Sequence, residues 1–126
     1  MAYSSGANIL SFTSGADLTG SQYRFVKIDS STGKVVAGTD GADCIGIVLN
    51  KPNTDEAASV AVEGVCKLYI GAHASIGYDS NIISDASGGG TIATGTGKEV
   101  LAKALEDPGA NGEIISVLIH KIGPLP

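Results

Sequence analysis

From Tyr23 onward the chain is a series of short apolar runs rich in Val and Ile, separated by clusters of Gly, Asn, Asp and Ser. Runs of about five to seven residues are too short for ordinary helices and have the β-branched character of strands, so the pattern specifies an all-β sandwich or barrel. Strands are expected near 24–28, 34–37, 44–49, 59–63, 65–70, 100–105 and 114–122. The segment DSSTGK after the first run supplies Asp and Ser side chains that bond their own backbone and a Gly free to take positive φ. It therefore predicts a hairpin between the first two runs. The stretch GAHASIGYDSNIISDASGGGTIATGTG is too rich in Gly and Ser for a long helix or a central strand and reads as loops with brief strands.

An internal echo supports the β reading. CIGIVLNKP at 44–52 aligns with VLAKALEDP at 100–108, and EAASVAVEG at 56–64 aligns with EIISVLIHK at 113–121. Taken alone, KEVLAKALED is rich in good helix formers. Its counterpart CIGIVL is not, so both are read as strands. Each copy then forms a hairpin with a Pro in its loop, and the two hairpins pack as pseudo-equivalent halves of one small barrel spanning 23–126.

Residues 1–22 differ from the rest. They contain no Lys or Arg, carry Ser, Gly and Thr at short intervals, and follow neither a helical nor a strand period. They read as an extended N-terminal arm. A solvated linker needs no large apolar groups, yet this arm holds Tyr3, Ile9, Leu10 and Phe12. Those side chains are costly to leave in water, which makes them the candidate binding residues. The N-terminus lacks a basic segment followed by an unbroken apolar run, so neither a signal peptide nor a membrane span is expected, and synthesis in a cytosol-like space follows. Cys44 and Cys66 lie inside apolar runs, where thiols behave as small buried hydrophobes rather than as a disulfide.

Composition excludes several functions. With 8 Lys and Arg against 13 Asp and Glu, a net charge of -5 leaves no basic footprint for nucleic acid. Aromatic residues make up 5% and Trp is absent, which removes the usual platforms for stacking bases or sugars. GGGTIATGTGK invites a phosphate-loop reading, but counting back from Lys98 puts Ile92 where the first Gly is needed, and Glu99 stands where a Ser or Thr should hold magnesium. His73 and His120 are isolated from each other and from Cys44 and Cys66 at any zinc-ligand spacing. No G-x-S-x-G elbow occurs, and Asp40, Asp43, Asp55 and Glu56 fall in turn segments without the order of a calcium loop. No catalytic residue, cofactor or metal is expected, and an enzyme is not.

A small acidic β domain with an adhesive arm and no catalytic constellation is suited to sitting on another surface. The runs YRFVKIDSSTGKVVAGTDGADCIGIVLN, ASVAVEGVCKLYIGAHASIGYDSN and VLAKALEDPGANGEIISVLI resemble the head decoration, or cement, proteins of tailed bacteriophages over most of residues 8–120. The order carries the likeness: an arm, a V-K-x-D hairpin, an I-G-I-V-L strand, an S-V-x-V-x-G strand, a Gly-rich middle and a closing S-V-L-I strand. Departures lie at IGYDSN and in the SGGGTIATGTG insertion. The resemblance implies a β-rich subunit on the outer surface of the virion head, a homotrimer that ties neighbouring major capsid subunits together, with no nucleic-acid or membrane partner. The competing reading is a carbohydrate-binding or adhesin-like β module.

One expectation follows from the missing ligand motifs. A ligand held at 100 times its dissociation constant stabilises a fold by roughly 2.7 kcal/mol. Zinc, calcium, ATP and chelators should therefore leave the thermal midpoint unchanged in differential scanning fluorimetry, and a reproducible upward shift with any of them would contradict the reading.

Overall fold

The computed structural model describes residues 5–126, and among them there is no helix. Nine strands form: β1 (Ser5–Thr13), β2 (Phe25–Ile28), β3 (Val35–Ala37), β4 (Gly46–Val48), β5 (Ala57–Tyr69), β6 (Asn81–Ser84), β7 (Gly90–Ile92), β8 (Glu99–Ala104) and β9 (Ile114–Pro124). Their order in the sheet is β3-β2-β4-β5-β9-β8-β6-β7, with β1 also paired to β5, and every strand pair is antiparallel. The fold is the expected all-β one, a sheet curled into barrel-like halves. The helix-forming stretch around β8 is a strand because it is hydrogen-bonded on both sides, to β6 and β9, and tertiary pairing outweighs local propensity.

The two runs expected at 59–63 and 65–70 are one strand. Gly64, at φ 94°, lets β5 pass from one set of partners to another without a turn. Its first part pairs with β1 and β4, and its last part pairs with β9.

The register of these pairs repeats along the chain. Val48 opposes Val60 and Ile47 opposes Ala61, while Ala104 opposes Val117 and Lys103 opposes Leu118. On the other side of the hairpin, Phe12 faces Ala58 and Leu10 faces Val60, while Leu68 faces Ile115 and Cys66 faces Val117. Val26 opposes Ala37 and Gly46, and Ile82 opposes Ile92 and Ala102. Small polar details repeat as well. The Ser59 amide donates to Asn50 Oδ1 at 3.0 Å and the Ser116 amide to Glu106 Oε1 at 2.6 Å, and the Ser31 and Ser87 amides donate to Asp29 and Asp85 in matching turns. Tyr23 and Asp79, both non-Gly residues in the left-handed region, occupy equivalent positions at φ 63° and 66°.

The chain is thus two copies of a five-stranded unit. The first is β1-β5-β4-β2-β3 and the second is β5-β9-β8-β6-β7, with the second copy using the end of β5 where the first uses β1. Each unit curls until its last strand reaches its first, by the parallel bridges Ser14–Val35 and Ile70–Gly90. The echo seen in the sequence between two hairpins is a local part of this larger repeat.

The arm expected over 1–22 divides differently. Residues 5–13 lie in the sheet as β1, and beyond them Ser14 and Leu18 are buried, Leu18 at 1% exposure among Val26, Val35, Val48, Ala58 and Val60. The physical reason is pairing: β5 needs a partner along its first part, and β1 supplies it through six matched residues from Asn8 to Ala57's partner Thr13, irregular only at its start. Asp17 ties the following turn, accepting from the Thr19 amide at 3.0 Å and hydroxyl at 2.7 Å, which hold its carboxyl below the ordinary range.

Opposed residues in an antiparallel pair share a face, so each unit has an inner face and a back. Val26, Val48, Ala58 and Val60 fill the first unit. Its back carries Phe25, Cys44, Ile47 and Ala61, and these form one continuous cluster with the interior of the second unit, including Cys66, Leu68, Ile82, Ala104, Ile115, Val117 and Ile119. The first unit therefore plugs the second. Backbone bonds fasten the plug: the Phe25 amide donates to Gly88 O at 2.7 Å and the Gly41 amide to Ser84 O at 2.9 Å. Gly88 is required there, since its φ is 85° and a Cβ would stand 2.6 Å from Phe25 O. Arg24 lies 4.2 Å above the Tyr69 ring, and Lys121–Asp43 and Lys98–Asp40 ion pairs bracket the rim. Cys44 and Cys66 are buried and in no disulfide.

Two outcomes follow. Removing the Phe25 ring leaves a cavity between the units, and Phe25→Ala should cost about 3–5 kcal/mol in urea unfolding. Burial, opposed in part by a hydrogen bond to Ser84, pushes the Cys44 thiol up from 9.0 to about 11. The folded state holds the neutral thiol, so its contribution is complete below pH 9 and is lost as pH rises to 11, amounting to about 2–3 kcal/mol for a shift of this size. Wild-type stability should fall more steeply than that of Cys44→Ala between pH 9 and 11, and equal slopes would refute this origin.

Candidate functional site

Of the residues singled out in the sequence, Ile9, Leu10 and Phe12 lie on β1. Tyr3 lies outside the described residues. Ile9 and Leu10 are 54% and 50% exposed, but as neighbours on a strand they point to opposite faces. Leu10 opposes Val60 and belongs to the inner face of the first unit, whereas Ile9 opposes Ala61 and lies on the back. Phe12 shares the inner face with Leu10 and is partly buried against the first-unit core. At the start of the strand, Asn8 Nδ2 donates to Glu63 Oε1.

Sequence reasoning missed the residues that complete this surface. Ile45 and Val62 are partly buried against the same core as Phe12. Ile28 opposes buried Val35 and is 44% exposed. Two open depressions adjoin it. One, of about 390 Å³, is lined by Ile28, Ser30, Asp43, Ile45 and Lys121, and the other, of about 340 Å³, by Lys27, Ile28, Asp29, Ser30 and Val36. The open end of the first unit thus presents Leu10, Phe12, Ile28, Ile45 and Val62 with a charged margin. Nothing in the local sequence marks them, because Ile28, Ile45 and Val62 sit in strand runs like any core residue.

The polar candidates are dispersed. The His73 amide donates to Asn111 Oδ1 at 2.9 Å and its ring Nδ1 lies 2.6 Å from the same oxygen. His120 is exposed on β9. Asp40, Asp43 and Asp55 pair with Lys98, Lys121 and Lys34 at 3.0, 2.6 and 2.8 Å. Glu56 accepts from the Asn53 amide at 2.7 Å in a turn whose counterpart is Glu113 accepting from Gly109 at 3.0 Å. These groups hold turns and margins. Among the described residues no cluster of three or more His, Cys, Asp or Glu is arranged to hold a metal.

No family model matches the chain, and no curated protein matches it in sequence. Among solved structures, the chain is similar to the N base of the head fiber gp8.5 of bacteriophage phi29, with a TM-score of 0.70 over 94% of this chain and 99% of that one. Identity between the two is 13%, so what they share is the fold, from end to end.

Proposed function

We propose that the chain is a structural protein of a tailed-phage head, a decoration or cement subunit that attaches to the outer capsid surface as a homotrimer and ties neighbouring major capsid subunits together without catalysing a reaction. The observation that carries this reading is the correspondence in fold, over nearly the whole of both chains, with a base domain of a phage head fiber. The order of sequence features shared with head decoration proteins points the same way.

The open end of the first unit fits an attachment role. Burying a Leu, Ile or Phe side chain is worth roughly 1.5–3 kcal/mol against exposure, and partial exposure at the rim leaves only part of that to gain. Association also costs overall freedom, so one subunit binds weakly. Three linked copies on a shell overcome this, because the second and third engage at high effective concentration.

Purified protein mixed with empty expanded capsids should pellet with them, and electron microscopy should place it outside the shell in clusters of three at local threefold positions. Protein that stays in the supernatant at capsid concentrations well above micromolar would overturn the reading.

A further inference from the structure

The repeat makes the two units comparable position by position, and their open ends are covered differently. Residue 10 corresponds to 66, 12 to 68, 28 to 84, 45 to 101 and 62 to 119, by the registers of β1 with β5, β2 with β3 and β4 with β5 against their counterparts. In the second unit Cys66, Leu68, Ser84, Leu101 and Ile119 are all buried. In the first unit Leu10 and Ile28 are exposed, and Phe12, Ile45 and Val62 are only partly covered. The cause of the difference is visible. The second unit's open end is filled by the back of the first, with Phe25, Ile47, Ala61 and Cys44 joining its interior. The turn from 84 to 89 is held against Phe25 and Gly41, while the equivalent turn after Ile28 borders the two open depressions.

We propose that the open end of the first unit is a docking site for an apolar β-sheet face of a capsid protein, one that presents an aromatic side chain flanked by aliphatic ones, as Phe25 is flanked by Ile47 and Ala61. The proposal rests on the decoration reading and specifies its contact. The internal contact defines the occupant's chemistry, because the receiving surface is the repeat of one whose occupant is known. A second copy of this chain is a poor occupant. Its own first-unit back is already used, and the corresponding face of its second unit places Asn81 where Phe25 stands and Lys103 where Ile47 stands.

The test uses the full chain and purified empty capsids. Leu10→Asp places a charge where burial would leave it unpaired and should weaken capsid co-sedimentation at least tenfold, with the circular dichroism spectrum and melting temperature unchanged. Leu105→Asp, at an exposed position just past β8 in the second unit, should bind as wild type. A second measurement does not depend on the charged variant folding. Leu10→Cys labelled with a benzophenone maleimide, the native thiols being buried, should photocrosslink to coat protein on decorated capsids. Crosslinking only to another copy of this chain, or full affinity of folded Leu10→Asp, would overturn the proposal while leaving decoration intact. If wild-type protein fails to pellet with capsids, the decoration reading falls and this occupant falls with it.

Discussion

Strand β5 is the element on which the others depend. It hydrogen-bonds β1 and β4 along its first part and β9 along its last, so both units take their position from one continuous backbone. A strand of thirteen residues could not serve two curled sheets if it were uniform. Gly64 divides it, at a positive φ that an L side chain adopts only with strain. The irregular register of β1 at Asn8 and Ile9 falls opposite the same region, so both strands bend where the first unit ends and the second begins.

Sharing a strand forces the units into contact, and the contact decides which side chains are apolar. The back of a sheet facing water alternates polar residues with the core-facing ones. The back of the first unit instead carries Phe25, Ile47 and Ala61, because it faces the second unit's interior rather than solvent. At the same positions the second unit has Asn81, Lys103 and Leu118, and Lys103 reaches out to Asp79. One repeated pattern thus carries two solutions, an apolar face where the chain covers it and a mixed face where the chain does not.

Much of this was legible in the sequence, and the parts that were not share a cause. The strands near 24–28, 34–37, 44–49, 100–105 and 114–122 were readable because β-branched runs and their turns are local signals. The hairpin echo was readable because Leu, Pro, Glu and Ser-Val recur in order. β1 was not, since its role is set by residues about fifty positions away and its Ser, Gly and Asn obscure the alternation of Leu10 and Phe12 on one face. β6 and β7, at four and three residues, are strands only because β8 and the Asp85 turn hold them. The sequence groups Ile9, Leu10 and Phe12 as apolar residues of one arm, but strand geometry separates Ile9 from the other two. Ile28, Ile45 and Val62 carry no mark in the sequence because exposure depends on what covers a residue, and in this fold that is the other unit.

Tandem units that dock front to back face a problem of termination. A front-to-back contact is heterologous, and repeated between molecules it gives an open filament or a ring rather than a closed pair. This chain stops the series at one end by chemistry: Asn81 and Lys103 stand where an apolar plug would be needed. At the other end it does not, for Leu10 and Ile28 remain open to solvent. An apolar end left uncovered on an otherwise acidic protein carries a cost in solubility, and a polar substitution at residue 10 or 28 would remove it without disturbing the core. The asymmetry therefore orients the molecule. The second unit's back suits solvent, the first unit's open end suits a protein surface, and a subunit attached by that end would stand with its mixed face outward.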